Sequence, residues 1–416
     1  MAQYTRYYQF RRIIFAQNIA GFMMRWLLII CVLLQPLAGY SIGYDTTVAP
    51  ADASVNVYLP LLTGKRVAVI VNQTSRIGDK LLPDVLLANH IQVVKIFSPE
   101  HGFRGHEDAG ATVGNSTDSA TGLPVISLYG AHKKPTTADL ADVDIVIYDL
   151  QDVGVRFYTY ISTLQYAMEA CAKNNKPFMV LDRPNPNGFY VDGSVLDKGS
   201  RSFVGMQSIP IVYGMTAGEY AKMLVGEQWF DSAAYLNLQV IPCLNYDHKK
   251  RYKLPVSPSP NLKTMAAVYA YPSMCLFEGT QISVGRGTNM PFQQWGCPEF
   301  TGVFMYAFTP HSTDGAKDPP YKDKVCHGEA IGASESLVLE KIKNGINLTW
   351  LLKAYNAYPD KTKFFNGMFI KLAGASLKKQ LEDGLSADAI KASWQTDLKV
   401  FKTIRKKYLL YKDFED

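Results

Sequence analysis

The segment Ser98-Pro99-Glu100-His101-Gly102-Phe103-Arg104-Gly105 places a carboxyl beside an imidazole and close to a guanidinium. Burial and charged neighbours of this kind tune a carboxyl for proton transfer, so Glu100 and His101 are candidates for general acid–base chemistry. The plainer alternative is a helix cap or a structural Glu100–Arg104 bridge. Glu100, His101, His106, Glu107 and Asp108 also offer metal ligands within nine residues, but their spacing matches no metal signature such as HExxH, and no metal is expected. A second segment, Asp149-Leu150-Gln151-Asp152-Val153-Gly154-Val155-Arg156-Phe157-Tyr158-Thr159-Tyr160, mixes carboxylate, amide and guanidinium groups with aromatic faces. That mixture suits a sugar, with Asp149, Gln151, Asp152, Arg156 and Tyr158 as contacts and Asp152 as a further acid–base candidate. In Asp182-Arg183-Pro184-Asn185-Pro186-Asn187-Gly188 the two prolines restrict the backbone and pre-organise Asp182, Arg183, Asn185 and Asn187. Further on, Glu278-Gly279-Thr280 and Ser283-Val284-Gly285-Arg286-Gly287-Thr288 combine glycines that permit close backbone approach with Glu278 and with Arg286, which suits a carboxylate.

These segments share a position relative to the elements that carry them. From about residue 62, short β-branched runs alternate with amphipathic stretches, the pattern of βαβ units and a parallel sheet. Strands are expected at Arg66–Val71, Gln92–Phe97, Val125–Tyr129, Ile145–Tyr148, Phe178–Leu181 and Ile209–Tyr213. Helices are expected at Lys80–Asn89, Tyr160–Asn174 and Thr216–Gly226, the last opened by a capping box of Thr216 and Glu219. The polar residues follow the strands directly, Asn72 after the first, Glu100 after the second, Asp149 after the fourth and Asp182 after the fifth. An open parallel sheet binds its ligand outside these carboxyl ends, which places the groups around one cleft. The first strand is followed by Asn72-Gln73-Thr74-Ser75-Arg76-Ile77-Gly78, neither a GxGxxG fingerprint nor a Walker A loop, so neither NAD nor ATP is implied. No GxSxG elbow supports a serine hydrolase.

Pro255, Pro258 and Pro260 make an extended connection near Leu254–Leu262. The expected layout is a Rossmann-like domain over 46–262 and a smaller α+β domain over 263–416, with helices at Ala330–Asn344 and Leu377–Gly384 and an active cleft between the domains. Residues 1–41 read as an extension and signal peptide, because Arg25 and Trp26 precede the apolar run 27–34 and the small residues Ala38 and Gly39. Export to the periplasm or beyond is therefore expected, with no stable membrane span after cleavage. The full chain holds 43 Lys and Arg against 37 Asp and Glu; residues 1–41 contribute four of the arginines and no acid, so the remainder carries only +2. Without a basic stripe on the mature domains, nucleic acid is not an expected partner. The cysteines show no CxxC pair and imply no disulfide framework, although an oxidising compartment leaves room for one bridge.

In order and in wording, the motifs above, together with Pro258-Ser259-Pro260-Asn261-Leu262 and the ending Lys407-Tyr408-Leu409-Leu410-Tyr411, resemble the NamZ exo-β-N-acetylmuramidase family from about residue 60 to the C-terminus. The resemblance implies a Rossmann-like domain, a smaller C-terminal domain, no organic cofactor, and release of N-acetylmuramic acid from non-reducing ends of peptidoglycan-derived glycans. It carries the acid of the family's EHG motif onto Glu100. It also shows one departure, since Ala109-Gly110-Ala111 stands where many relatives read Ala-Gly-Glu. Glycosidases usually need two carboxyls. With Glu100 as acid, the second role is open to Asp152, Asp149, Glu278 or the substrate's own acetamido oxygen. Arg104, Arg156 and Arg286 are the candidates for the lactyl carboxylate. A non-catalytic peptidoglycan-binding protein and a metal-dependent cell-wall amidase or esterase are the competing readings.

Overall fold

Strands β1 (Arg66–Val71), β2 (Gln92–Ser98), β3 (Ser116–Thr117), β4 (Pro124–Ser127), β5 (Ile145–Asp149), β6 (Phe178–Leu181) and β7 (Leu238–Ile241) form one sheet in the order β3-β4-β2-β1-β5-β6-β7. Only β3 runs antiparallel to its neighbour. The computed structural model describes residues 43–99, 103, 115–343 and 345–416. Central β1 is buried along nearly its whole length, pairing Ile70 with Phe97 on one side and with Tyr148 on the other. Its continuous Val-Ala-Val-Ile-Val run is what a strand covered on both faces requires. The covering helices include α1 (Val55–Leu62), α2 (Leu82–Ala88), α3 (Tyr160–Lys173) and α4 (Ala217–Gly226). Helix α4 starts with the expected capping box, Thr216 accepting from the Glu219 amide while Glu219 accepts from the Thr216 amide.

One strand expectation needs correction here. Ile209–Tyr213 is buried but stays outside the sheet; its Val212 makes isolated bridges to Val155 and Asp192. The position beside β6 is taken instead by β7, an edge strand whose sequence Leu-Gln-Val-Ile is only partly buried. Helix α2 is also shorter than expected, because Lys80–Leu81 pairs with Arg76–Ile77 in a small ribbon before it.

The segment Leu254–Leu262 runs without helix or strand into α5 (Met265–Met274), every residue of which is buried. A helix apolar all round belongs inside a core, and α5 sits in the cluster that also contains Tyr148, Leu164 and Trp295. Beyond it a three-stranded antiparallel sheet, β8 (Gln294–Cys297), β9 (Tyr306–Phe308) and β10 (Cys326–Ala330), is ordered β8-β10-β9. Trp295 of β8 stacks on Phe277 at 5.6 Å. The remaining helices include α6 (Glu335–Ile342), α7 (Thr349–Ala357), α8 (Met368–Ala373), α9 (Ala375–Glu382) and α10 (Ala387–Lys406). Ala330 thus closes a strand where a helix was expected to begin, and Ser334 caps α6 a turn later. Cys171, Cys243, Cys275, Cys297 and Cys326 are all buried free thiols, so the bridge left open by the sequence is not formed among them. No described helix is long and apolar enough to cross a membrane.

Candidate functional site

Most of the polar residues that follow the strands are buried in a network that holds the loops in place. Asp149 ends β5 and receives the Arg183 guanidinium twice, Nε to Oδ1 at 2.5 Å and Nη2 to Oδ2 at 3.0 Å. The same Nη2 reaches Asp52 Oδ2 at 2.5 Å, so one buried cation serves two buried carboxylates. Burial pushes Asp52 up to about 7 despite Arg183, and raises Asp149 as well. Asp182 accepts from the Gly218 amide at 2.8 Å, from Thr216 Oγ1 at 2.6 Å and from Tyr411 Oη at 2.7 Å, which fixes the start of α4 to the end of β6. Asn72 accepts from Thr74 and donates to Tyr160 Oη at 2.8 Å. Gln151 donates to the carbonyls of Asp152 and Pro184, Asn185 to that of Met215, and Asn187 to that of Val153.

Asp152 is buried and accepts from the Gly154 amide at 2.6 Å and from the Tyr213 hydroxyl. Burial pushes it up to about 6 against the pull of that hydroxyl. Arg156 donates to the carbonyls of Ser194, Ile209 and Leu372 at 2.6–2.7 Å, and burial lowers it to about 9. Neither side chain lines the cavity described next. The structure places Asp152, expected as a catalytic group, and Arg156, expected as a carboxylate binder, in the framework around that cavity; Asp152 Oδ1 and Arg156 Nε are buried and make no hydrogen bond among the described residues. Asn72, Asp149, Gln151, Asp182, Arg183, Asn185 and Asn187, expected as substrate contacts, do not line that cavity either. Glu100, His101 and Arg104 lie outside the described residues, as do His106, Glu107 and Asp108; among the described residues no group of three or more His, Cys, Asp or Glu side chains could hold a metal ion.

A cavity of about 540 Å³ opens where the loops after β4 and β5 meet the second part of the chain. That size is in the range of small-molecule sites. Its walls are aromatic, with Tyr129, Phe157, Tyr158, Tyr160, Tyr271 and Phe292 among them, and three of the expected contacts are present, Tyr158, Glu278 and Arg286. The Tyr158 hydroxyl donates to the Pro258 carbonyl at 2.7 Å, tying the strand-end loop to the proline-rich connection. Arg286 Nε donates to Glu278 Oε1 at 2.6 Å, and its guanidinium lies 5.0 Å from the Phe292 ring centroid. With Nε held by Glu278, the terminal nitrogens are pre-organised as a fork, and they make no hydrogen bond among the described residues. A second cavity of about 390 Å³ shares Glu278, Arg286 and Asn366 with the first. Asn366 locks this corner by donating to the carbonyls of Glu278 and Thr280 at 3.1 Å.

Sequence reasoning missed Tyr129, Phe203, Tyr271, Asn366 and Met368 as lining residues. Tyr129 carried a readable signal, since the expected strand absorbed it when in fact β4 stops at Ser127. The others reach the cavity through tertiary packing and carry no local motif.

A family model described as exo-beta-N-acetylmuramidase NamZ, N-terminal, matches residues 67–266, and the corresponding C-terminal model matches residues 269–411. Peptidoglycan beta-N-acetylmuramidase NamZ of Bacillus subtilis (strain 168) is 38% identical over 385 residues, covering 86% of this chain and 90% of that protein. Crystal structures of two DUF1343 family proteins from Bacteroides fragilis NCTC 9343 are also similar. One has 48% sequence identity and a TM-score of 0.81, covering 88% of this chain and 99% of its own. The other has 29% identity and a TM-score of 0.74, covering 88% and 100%.

Proposed function

The chain belongs to the NamZ exo-β-N-acetylmuramidase family, and from that premise we propose that it is a glycoside hydrolase releasing N-acetylmuramic acid from the non-reducing ends of peptidoglycan fragments. The observation that carries this reading is the family match across both halves of the chain, with an aromatic-walled cavity at the seam between the matched regions. Aromatic faces pack against the apolar faces of a sugar ring while the polar groups at the rim set its orientation. Glu100 is the general acid in this scheme, supported by the family motif it belongs to. An exo-acting site releases monosaccharide stepwise. A time course on a defined glycan with a non-reducing muramyl end should show free N-acetylmuramic acid from the first minutes. Early disaccharides or tetrasaccharides would sink the exo reading, and a lack of any hydrolysis would leave only a binding protein.

Of the three arginine candidates for the lactyl carboxylate, Arg104 lies outside the described residues, and Arg156 donates to three backbone carbonyls and does not line the cavity. Arg286 lines the cavity with its terminal nitrogens uncommitted among the described residues, and a planar fork suits a carboxylate. Arg286→Leu should lower the ratio of muramide to glucosaminide hydrolysis by at least about tenfold, the effect of one charge-assisted hydrogen bond or more. The ratio cancels any effect on catalysis common to both substrates; an unchanged ratio would assign selectivity to shape. Export belongs to the same proposal, since peptidoglycan lies outside the cytoplasmic membrane and residues 1–41 have the pattern of a signal peptide. Cell fractionation checks it.

A further inference from the structure

We propose that Glu278 is the second catalytic carboxylate, the base that takes a proton from the water attacking the sugar. This rests on the glycosidase reading above and adds the group that reading leaves unassigned. Two carboxyls are the usual requirement, and Glu100 as general acid accounts for one of them. The geometry then decides among the remaining acids. Asp149 is held twice by Arg183, and Asp152 is buried against Tyr213 and the Gly154 amide. Glu278 is the one carboxylic acid among the described residues that line the aromatic-walled cavity. Its side chain is 29% exposed, so a substrate can reach it.

The two oxygens of Glu278 are not equivalent. Among the described residues, Oε1 accepts from Arg286 Nε at 2.6 Å, whereas Oε2 accepts only from the Cys275 thiol, a weak donor at 3.4 Å. Arg286 and Asn366 therefore fix the residue in place while one oxygen keeps lone-pair capacity for a water proton. Glu278 also lines the second cavity, which gives water an approach to the carboxylate that does not pass through the sugar's own space. In the step itself, a water oxygen forms a bond to the anomeric carbon and gives one proton to Glu278. The glycosidic C–O bond breaks on the other face, its electron pair goes to the leaving oxygen, and that oxygen takes a proton from the general acid. No oxidant, reductant or further co-reactant is required.

The test is azide rescue in the full chain with a nitrophenyl β-muramide. Glu278→Ala should lower kcat about a hundredfold, the usual contribution of a positioned base. Sodium azide, which needs no deprotonation, should restore the rate at least about tenfold and yield the α-muramyl azide, because it enters opposite the leaving group. Glu278→Gln keeps a neutral acceptor for Arg286 and should lose kcat to the same extent, which separates loss of the base from loss of the arginine's anchor. Thermal unfolding of both variants should match the parent chain. A kcat within a few-fold of the parent, a well-folded variant without azide rescue, or the β-azide as product would each overturn the assignment. If the parent chain itself leaves the muramide intact, the glycosidase reading fails instead.

Discussion

Glu100→Gln is expected to lower turnover of a muramyl–glucosamine disaccharide at least about a hundredfold while leaving the fold unchanged. Glutamine keeps the volume and the hydrogen-bonding capacity of glutamate but has no proton to give. The leaving glucosamine oxygen is a poor leaving group unless it is protonated as the bond breaks. A nitrophenolate leaves without that help, so the same variant should lose distinctly less activity on a nitrophenyl muramide. This contrast is specific to an acid; loss of a base or of substrate binding would weaken both reactions alike. The position in the chain supports the role. Glu100 follows two residues after β2, and β2 lies in the sheet between β4 and β5, whose following loops contribute Tyr129 and Phe157–Tyr160 to the cavity. Comparable turnover of the disaccharide by variant and parent would end the assignment, and equal losses on both substrates would move Glu100 from acid to another role.

The sequence made the scaffold readable where a residue's local pattern and its tertiary fate agree. β1 and β6 were legible to the residue because strands buried on both faces read as unbroken apolar runs. Ile209–Tyr213 has the same texture and is just as buried, but its partners are the extended segments around Val155 and Asp192, a choice that depends on tertiary packing. β7 hid for the opposite reason, since an edge strand with Gln239 half-exposed lacks the apolar run.

The site divided along a different line. Residue types at the strand ends announced a polar cluster, which is there, but type alone does not say whether a hydrogen-bonding group is spent internally. Arg156 and Arg286 look alike in sequence, each near glycine and aromatic residues. Among the described residues one has three backbone carbonyls for partners, and the other has a single carboxylate and two terminal nitrogens without a bond. Only the accounting of each donor against its acceptors separates a framework arginine from a ligand-binding one.

That framework makes its own large effect measurable. Arg183→Leu should lower the free energy of unfolding by about 3–5 kcal/mol, because removing one partner from a buried ion cluster strands the charges that remain. Here two carboxylates, Asp52 and Asp149, would be left without their shared cation, both nearly inaccessible to water. The cost should depend on pH, and its sign follows from the carboxyls. Asp52 titrates at about 7 in the folded chain against an ordinary 3.8, because burial outweighs the single bond Arg183 offers it; Asp149 has two such bonds. Between these values the native state keeps a proton that the unfolded chain has released. Stability from this group is therefore full below about pH 4 and declines as pH rises toward 7, by at most about 1.4 kcal/mol per pH unit for one proton. Without Arg183 both carboxyls bind protons more tightly when folded, so the variant should be damaged less at pH 5 than at pH 8. Asp52→Asn, which is neutral throughout, should flatten the parent chain's decline across the same window. Urea unfolding of the three proteins at the two pH values measures all of this. A loss below about 1 kcal/mol at pH 8 would mean that the cluster is better hydrated than its burial implies. An equal loss at both pH values would refute the proton held by Asp52.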